Sequence, residues 1–299
     1  MISVGTNSCR LLIVRRDDAG LHVEHHDIRY TRIGEGLAAG GALKPEAVRR
    51  TLAAMTEFAQ LARRADEVFI IGTQALREAT DSAAFARQVR ESIGAELHVL
   101  TGTEEARASF TGALWALEQV GSVPDAVTVI DIGGGSTEFA VRKKRSGAVQ
   151  VESLPIGAVV LKERFLKHDP PVQTELMACR LAVRLEIDRL DSAVTPAGAL
   201  VAVGGTADTA ARMLNAYDPS AQVRVATVRR DDIADLLRLT SSLPLEERKR
   251  LHGLPEARAD IFPAGLIILD EIAQQAAARE IIVTEADLLL GYILGRGGI

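Results

Sequence analysis

The chain has 299 residues, of which 47% are apolar and 25% are charged, and its formal net charge is −5 at pH 7. This composition is typical of a globular protein with enough chain for one large or two ordinary domains. The negative charge disfavours a nucleic-acid-binding protein, and no apolar run approaches the roughly twenty residues of a membrane span. Neither a signal-peptide pattern nor a metal-site spacing of the two cysteines is present. We therefore predict a cytoplasmic protein.

The chain opens with a short apolar strand, the polar turn Gly5-Thr6-Asn7-Ser8 and a second strand at Cys9–Val14. The turn Asp17–Gly20 then leads to a third strand at Leu21–Arg29. Alternating apolar residues bounded by turn residues are typical of such hairpins.

Arg77 lies just beyond the carboxyl end of the next predicted strand, Val68–Ile71. Open α/β sheets bind ligands at this edge, and a guanidinium can bind phosphate through two hydrogen bonds. Its position agrees equally well with an ordinary surface arginine. The residue is therefore a candidate phosphate ligand whose role the sequence leaves open.

Two acids, Glu104 and Glu105, lie in the first turn of a helix predicted to begin near Thr103 and reach Val120. Acids are favoured there because they face the positive end of the helix dipole, so neither stands out. The turn-rich segment Gly121–Asp125 predicts a linker. We expect a first domain over residues 1–120 and a second over 121–299.

The most informative stretch begins at Asp131, continues through Gly133-Gly134-Gly135-Ser136-Thr137 and ends at Glu138. Consecutive glycines let backbone amides approach an anion closely, and the hydroxyls add further donors. The two carboxylates can hold a hydrated cation or position a water molecule. The stretch predicts a phosphate-binding loop between two strands, although glycine triplets also form ordinary tight turns, which need no acids.

An internal repeat relates this stretch to the start of the chain. An offset of 128 residues aligns Gly5 with Gly133 and Ser3 with Asp131. A repeat of nearly half the chain length predicts a duplicated domain, with a ligand cleft between the copies. A third glycine turn, Gly204-Gly205-Thr206, follows an apolar strand and begins a helix, whose N-terminus suits an anion.

With these motifs in this order, the chain resembles the exopolyphosphatase/guanosine pentaphosphate phosphatase (Ppx/GppA) family, in the short form without a C-terminal helical hydrolase domain. The resemblance covers essentially the whole chain and rests on five segments: Gly5–Ser8, Ala75–Ala79, Gly102–Arg107, Asp131–Glu138 and Gly204–Thr206. It implies an α/β fold of two actin-like (ribonuclease H-like) domains with an interdomain cleft. We expect the C-terminal helix, at about 284–299, to pack back on the first domain.

The resemblance also implies roles for individual residues. Glu105 matches the family's catalytic acid, the base that activates the attacking water. Asp131 and Glu138 match acids associated with Mg²⁺, and Arg77 matches an arginine that binds phosphate. Successive phosphates would be bound by three loops: Gly5–Ser8, Gly133–Thr137 and Gly204–Thr206.

In one respect the chain departs from the family pattern. Ser3 stands where the family usually has Asp, and this removes one acid expected to help hold the metal. Either Asp131 and Glu138 hold the metal alone, or turnover is low. Ser3 therefore favours the alternative of a weakly active protein that binds its ligand and acts as a regulator.

The resemblance implies a Mg²⁺-dependent exopolyphosphatase, a phosphoanhydride hydrolase that releases the terminal phosphate of inorganic polyphosphate. Guanosine pentaphosphate 5′-phosphohydrolase activity is an alternative that the motifs cannot separate from it. Another alternative is a weakly active regulator that binds polyphosphate or guanosine alarmones. A kinase of the same superfamily agrees less well with Glu105 and Arg77. The resemblance further implies a homodimer. The basic segment Lys143–Arg145 is a candidate for a track along which a long polyanion leads away from the cleft.

Overall fold

The computed structural model describes residues 1–18, 20–37, 41–218 and 220–296. The chain forms two compact units, Met1–Gly102 and Thr103–Ile299. The predicted turn at Asp17–Gly20 includes Ala19, which lies outside the described residues. Each unit is built on its own mixed β-sheet, so the predicted α/β class is confirmed.

The first unit contains a five-stranded sheet in the order β3-β2-β1-β4-β5. Its strands are β1 Ile2–Val4, β2 Cys9–Asp17, β3 Gly20–Arg29, β4 Ile70–Gly72 and β5 Leu97–Val99. Its helices are α1 Pro45–Leu61, α2 Gln74–Glu78 and α3 Ser82–Ile93. Apolar side chains of β1, β2 and β4 pack against α1 and α3 to form the core, in which Met55, Phe58 and Phe85 are fully buried.

The second unit contains a six-stranded sheet in the order β10-β11-β9-β6-β7-β8. The strands are β6 Val127–Ile132, β7 Thr137–Arg142, β8 Gln150–Leu154, β9 Ala199–Val203, β10 Val225–Arg229 and β11 Glu280–Thr284. The helices are α4 Gly102–Gln119, α5 Ala158–Phe165, α6 Gln173–Ile187, α7 Gly204–Met213, α8 Arg230–Ser242, α9 Leu245–Arg248, α10 Phe262–Gln275 and α11 Leu288–Arg296. A short 3₁₀ turn at Glu256–Arg258 precedes α10.

The two faces of the second sheet have different partners. Ile130 and Ile132 of β6 belong to the large core formed with α6, α8 and α10. Val129 belongs to a separate apolar cluster with Phe110 of α4. Because side chains alternate along a strand, Asp131 lies on the same face as Val129, the face that α4 covers.

Strand topology confirms the internal repeat. The order β8-β7-β6-β9-β11 reproduces β3-β2-β1-β4-β5, and the pairs β1–β2 and β6–β7 are both antiparallel. The pairs β1–β4 and β6–β9 are both parallel. Strand β10 has no counterpart in the first unit among the described residues and extends the edge of the second sheet.

The division between the units differs from the boundary expected at residue 120. Helix α4 carries an apolar face of Phe110, Ala113 and Leu117 that packs on the second sheet, so it belongs to the second unit. The C-terminal helix α11 packs on α4, where Gly291 lies against the backbone of Ala108. The expectation that this helix packs on the first domain assumed a boundary at residue 120, whereas α4 and α11 both lie in the second unit.

The C-terminal helix also begins later than expected at about 284. Thr284 is the last residue of β11, and α11 begins at Leu288. Asp287 caps this helix, because its carboxylate accepts the Leu289 amide at 3.1 Å. Residues 297–299 lie outside the described residues.

Candidate active site

The glycine loop of the second unit turns its carbonyl groups into the protein. The amides of Ala158 and Val159, at the start of α5, donate to the carbonyls of Gly133 and Gly134 at 3.0 and 2.8 Å. A Cβ on Gly157 would overlap the backbone of Gly134, so only glycine permits this approach. The carbonyl oxygens of Gly133 and Gly134, which would repel a phosphate, are therefore bound to the start of α5.

The amides of the same loop remain available to an anion. The loop closes with a 3.0 Å bond from the Gly133 amide to the Ser136 carbonyl. Among the described residues, no backbone acceptor takes the amides of Gly134, Gly135 or Ser136. Successive amides without protein acceptors are a suitable site for phosphate oxygens. The phosphate-binding role of this loop stays a prediction.

The turn at Gly5–Ser8 in the first unit repeats this design. A 2.9 Å amide-to-carbonyl bond joins its ends, and the carbonyls of Thr6 and Asn7 accept the amides of Gly34 and Arg32, both at 3.0 Å. The Asn7 side chain is only 5% exposed, yet neither of its polar atoms has a hydrogen-bond partner among the described residues. Unpaired polar atoms are costly in a protein interior, so Asn7 is suited to a ligand.

The third glycine turn lies directly against Asp131. Gly204 begins α7 with φ +84°, and a Cβ there would overlap the Asp131 carboxylate. The guanidinium of Arg258 lies against Gly205 in the same way. Thr206 is buried, and Gly265 of α10 leaves room for it. A helix N-terminus, a carboxylate and an arginine thus meet at one turn.

Asp131 and Glu138 are directly opposite each other on β6 and β7. The Ser109 hydroxyl on α4 donates to Asp131 Oδ2 at 2.6 Å, and the Ser153 hydroxyl on β8 donates to Glu138 Oε1 at 2.8 Å. These bonds fix both carboxylates on the face of the sheet that α4 covers, next to the strand ends that the glycine loop joins. Glu138 is only 3% exposed.

The structure distinguishes the two acids of the first turn of α4. Glu104 is exposed, whereas Glu105 is buried. Burial raises the pKa of Glu138 well above its usual range, and the charges of Glu105 and Asp131 raise it further. Three carboxylates therefore act on one another here, and a proton or a cation relieves their repulsion.

Asp131 and Glu138 suit a divalent cation that keeps part of its water shell, rather than one whose ligands all come from the protein. Within the described ranges, no group of three or more His, Cys, Asp or Glu side chains is disposed to hold a metal ion. Mg²⁺ commonly uses one or two carboxylates and completes its shell with water and phosphate oxygens. Asp131 and Glu138 can provide such a pair, which Ser109 and Ser153 orient.

Arg77 lies in the first unit, on the short helix α2. Its guanidinium Nη1 donates to the Leu100 carbonyl at 2.7 Å, and the side chain is half-buried. This bond holds the guanidinium at the carboxyl end of β5, whereas the sequence prediction placed Arg77 after β4, the neighbouring parallel strand. Its phosphate-binding role stays a prediction.

The basic segment Lys143–Arg145 does not lie beside the glycine loop. It forms the turn after Arg142, at the opposite end of β7 from Thr137. Six residues of strand span about 20 Å, so this turn does not contact a phosphate bound in the loop. Its role as part of a basic track leading away from the ligand stays a prediction.

Several residues of the site were absent from the sequence-based candidates. Ser109 follows Glu105 by four positions, which places both on one face of a helix, and this spacing was a usable signal. Ser153 and Arg258 gave no local signal, because a strand pairing and a distant turn bring them to the site. Gly157 was recognisable as a glycine but not as the neighbour of the loop.

Two mixed sheets of matching topology, with a glycine-containing loop after the first strand of each repeat, define the class as an α/β protein of two repeated units. Residues 12–296 match the model of the Ppx/GppA phosphatase family, and the chain belongs to that family.

The chain is 33% identical to "Exopolyphosphatase 2" of Mycobacterium tuberculosis over 99% of this chain and 98% of that protein. It is 28% identical to the "Guanosine-5'-triphosphate,3'-diphosphate pyrophosphatase" of Vibrio cholerae over 99% of this chain, but spans only 57% of that protein. The crystal structure of the Aquifex aeolicus Ppx/GppA family member matches with a TM-score of 0.80 and 27% identity, covering 99% of this chain and 96% of that one. The fold is therefore the actin-like fold of this family. In the part of the chain that the structure describes, no helix is long and apolar enough to cross a membrane.

Proposed function

We propose that the protein is an exopolyphosphatase, which hydrolyses the terminal phosphoanhydride bond of inorganic polyphosphate with Mg²⁺. The observation that carries this proposal is that Glu105, Asp131 and Glu138 lie close to one another beside the strand ends that the glycine loop joins. A hydrolase needs a base for water and positive charge for the phosphoryl oxygens, and this arrangement can supply both. The 33% identity to an exopolyphosphatase supports the choice of substrate.

In this mechanism the amides of Gly134, Gly135 and Ser136 hold the oxygens of the terminal phosphoryl group. Glu105 takes a proton from the water whose oxygen attacks the terminal phosphorus. The bridging P–O bond breaks, and its electron pair stays with the shortened polyphosphate. The amides preorganise the site for the negative charge of the transition state.

Asp131 and Glu138 would hold Mg²⁺, which supplies positive charge to the phosphoryl oxygens when it is bound. Ser109 and Ser153 keep the two carboxylates in place by donating to one oxygen of each. Arg258, whose guanidinium lies against Gly205, adds a protein cation to the same unit. Arg77 and the loop Gly5–Ser8 are proposed to bind further phosphates of the chain.

Hydrolysis of guanosine pentaphosphate is the second candidate. It presents the same terminal phosphoanhydride, and the Vibrio cholerae relative named for this reaction is 28% identical. A weakly active regulator that binds polyphosphate or an alarmone is a further candidate, which Ser3 favours. The homodimer and the cytoplasmic location remain predictions from the sequence.

The deciding experiment measures phosphate release from long polyphosphate, guanosine pentaphosphate and ATP with Mg²⁺. Wild-type protein is expected to prefer polyphosphate. Glu105→Gln is expected to lower kcat about 100-fold or more, as is typical for loss of a general base. Glu104→Gln removes the neighbouring exposed acid and is the matched control, with activity within about twofold of wild type. Release from neither polyphosphate nor guanosine pentaphosphate, or an unaffected Glu105→Gln variant, would overturn the proposal.

A further inference from the structure

Helix α6 presents an apolar stripe to solvent. Its residues Met177, Leu181 and Leu185 are 60%, 57% and 52% exposed and follow one another at intervals of four residues, so they share one face. The opposite face, with Cys179 and Val183, is buried in the large core of the second unit. Single exposed apolar residues are ordinary, whereas a continuous row of large ones marks a surface that another molecule covers. We call this row the α6 stripe.

A groove of about 520 Å³ lies beside the α6 stripe, between α6 and α8. Both helices pack on α10, whose Ile267 lines the groove, and Leu176 and Leu237 add apolar side chains to its walls. Ser241 also lines the groove and is only 8% exposed, and its hydroxyl has no hydrogen-bond partner among the described residues. A buried hydroxyl without a partner costs free energy, so the groove suits an occupant with both polar and apolar groups.

The groove also carries positive charge, because Arg180 lines it. Arg180 and Arg230 donate to the buried carboxylate of Asp270 at 2.9 and 3.0 Å, and Arg180 and Arg184 donate to the buried carboxylate of Glu271. Three guanidinium groups thus share two carboxylates, which leaves one positive charge in excess. Arg180 and Arg184 remain 31% and 48% exposed, so this charge can attract an acidic group on an occupant.

We propose that the α6 stripe and the groove dock an amphipathic helix of another protein, with apolar side chains on one face and acidic side chains on its flanks. Apolar residues three and four positions apart on such a helix match the spacing of Met177, Leu181 and Leu185. One of these side chains enters the groove, where the Ser241 hydroxyl is available to a polar group of the same helix. The acidic flank lies along Arg180 and Arg184.

A second copy of this chain is a poorer occupant. Near the axis of a two-fold contact each residue faces its own copy. Arg180 and Arg184 lie on either side of Leu181, the centre of the α6 stripe, so a contact of this surface with itself brings arginines together. Docking is also independent of the proposed hydrolase, because α6 packs in the core on the face of the second sheet that carries Ile130 and Ile132.

NMR signals of isotope-labelled methionine methyl groups report on docking, since the chain has four methionines. Met1 and Met55 are buried and Met213 is partly buried, so Met177 is the exposed one of the four. The labelled protein is titrated with a synthetic helix that carries leucine every three or four residues and glutamate on both flanks. The Met177 signal, identified by its loss in Met177→Leu, is expected to shift, whereas the other three stay in place. A Met177 signal that does not move would overturn the proposal.

Leu181→Gln is expected to weaken binding of this peptide about tenfold or more, because it removes an apolar contact at the centre of the surface. Leu61→Gln is the matched control: Leu61 is 48% exposed at the end of α1 in the first unit, and this variant should bind as wild type does. Both positions are exposed, so both variants should fold, and thermal unfolding checks this. Equal peptide affinity in the two variants would contradict docking on the α6 stripe.

The same peptide with lysine in place of glutamate tests the charge. It is expected to bind about tenfold more weakly, and equal or tighter binding would overturn the acidic character of the partner. Two other occupants are distinguished by the same Met177 signal. A shift on dilution of the protein alone would assign the surface to a second copy. A shift with vesicles of neutral phospholipid, but none with the glutamate peptide, would assign it to a membrane, and either result would overturn the proposal.

Discussion

The Ser109 hydroxyl lies 2.6 Å from Asp131 Oδ2 and donates a hydrogen bond to it, which ties helix α4 to strand β6. The same helix carries Glu105 one turn earlier. One rigid element therefore sets the positions of both the proposed base and a carboxylate of the proposed cation site. Ser109 lies outside the five segments that resemble the family. Its loss is nevertheless expected to affect both cation binding and the activation of water.

Ser109→Ala is expected to weaken Mn²⁺ or Mg²⁺ binding by about tenfold or more, because groups that orient metal ligands commonly contribute this much. The measurement is the cation concentration that gives half-maximal phosphate release, together with direct Mn²⁺ binding. Thr111→Ala removes an exposed hydroxyl that donates to the Arg107 carbonyl on the same helix, and it should change neither value. Equal cation affinity in the two variants would contradict the role given to Ser109.

Cation binding is expected to strengthen as pH rises. Burial, Glu105 and Asp131 raise the pKa of Glu138, so its carboxyl holds a proton at pH values where an exposed glutamate is ionised. A bound cation must displace that proton, and its affinity therefore falls below the raised pKa. Calorimetry in two buffers of different ionisation enthalpy measures the proton released. An affinity that is independent of pH, with no released proton, would refute this account.

Glu138→Gln is expected to abolish activity and yet stabilise the protein in the absence of a cation. The pKa of Glu138 is raised in the folded state, so stability is lost as pH rises from the unfolded value through the folded one. A neutral amide of the same shape avoids that loss, and a gain of about 1 kcal/mol is expected above neutral pH. Urea denaturation in EDTA measures it, with Glu118→Gln at an exposed position as control. The explanation fails if Glu138→Gln is no more stable than this control.

Gly157→Ala is expected to disturb the glycine loop, because the added methyl would overlap the backbone of Gly134 and Gly135. Overpacking of this kind typically costs about 1–3 kcal/mol of stability. The displaced loop should also raise KM for polyphosphate. Gly295→Ala is the control, since its added methyl meets nothing within 4 Å and alanine favours a helix. Wild-type stability and KM in Gly157→Ala would show that the loop tolerates the change.

The sequence was sufficient to predict the elements whose signal is local. Three glycines between apolar strands predicted the loop Gly133–Ser136, and the offset of 128 residues predicted the repeated topology. Glu104 and Glu105 could not be separated, because both suit the first turn of a helix. What separates them is the face of α4 that packs on the sheet, which is a tertiary property.

Long-range packing also explains two features that the sequence did not predict: the domain boundary and the position of Arg258. The linker at Gly121–Asp125 resembles a domain boundary, but α4 buries its apolar face on the second sheet and moves the boundary to Gly102. Arg258 lies more than fifty residues beyond Gly205 in the chain, so no motif links them. Such contacts depend on how the helices pack after the local elements have formed.

The bonds from Ala158 and Val159 to the loop carbonyls have a consequence for substrate binding. They hold the loop in shape, so under the proposed function a phosphate would find its amide donors already aligned. Binding then costs little ordering of the backbone, and the free energy of the amide contacts is retained as affinity. A loop of fixed shape is also expected to bind a tetrahedral oxyanion more tightly than a planar carboxylate of similar charge.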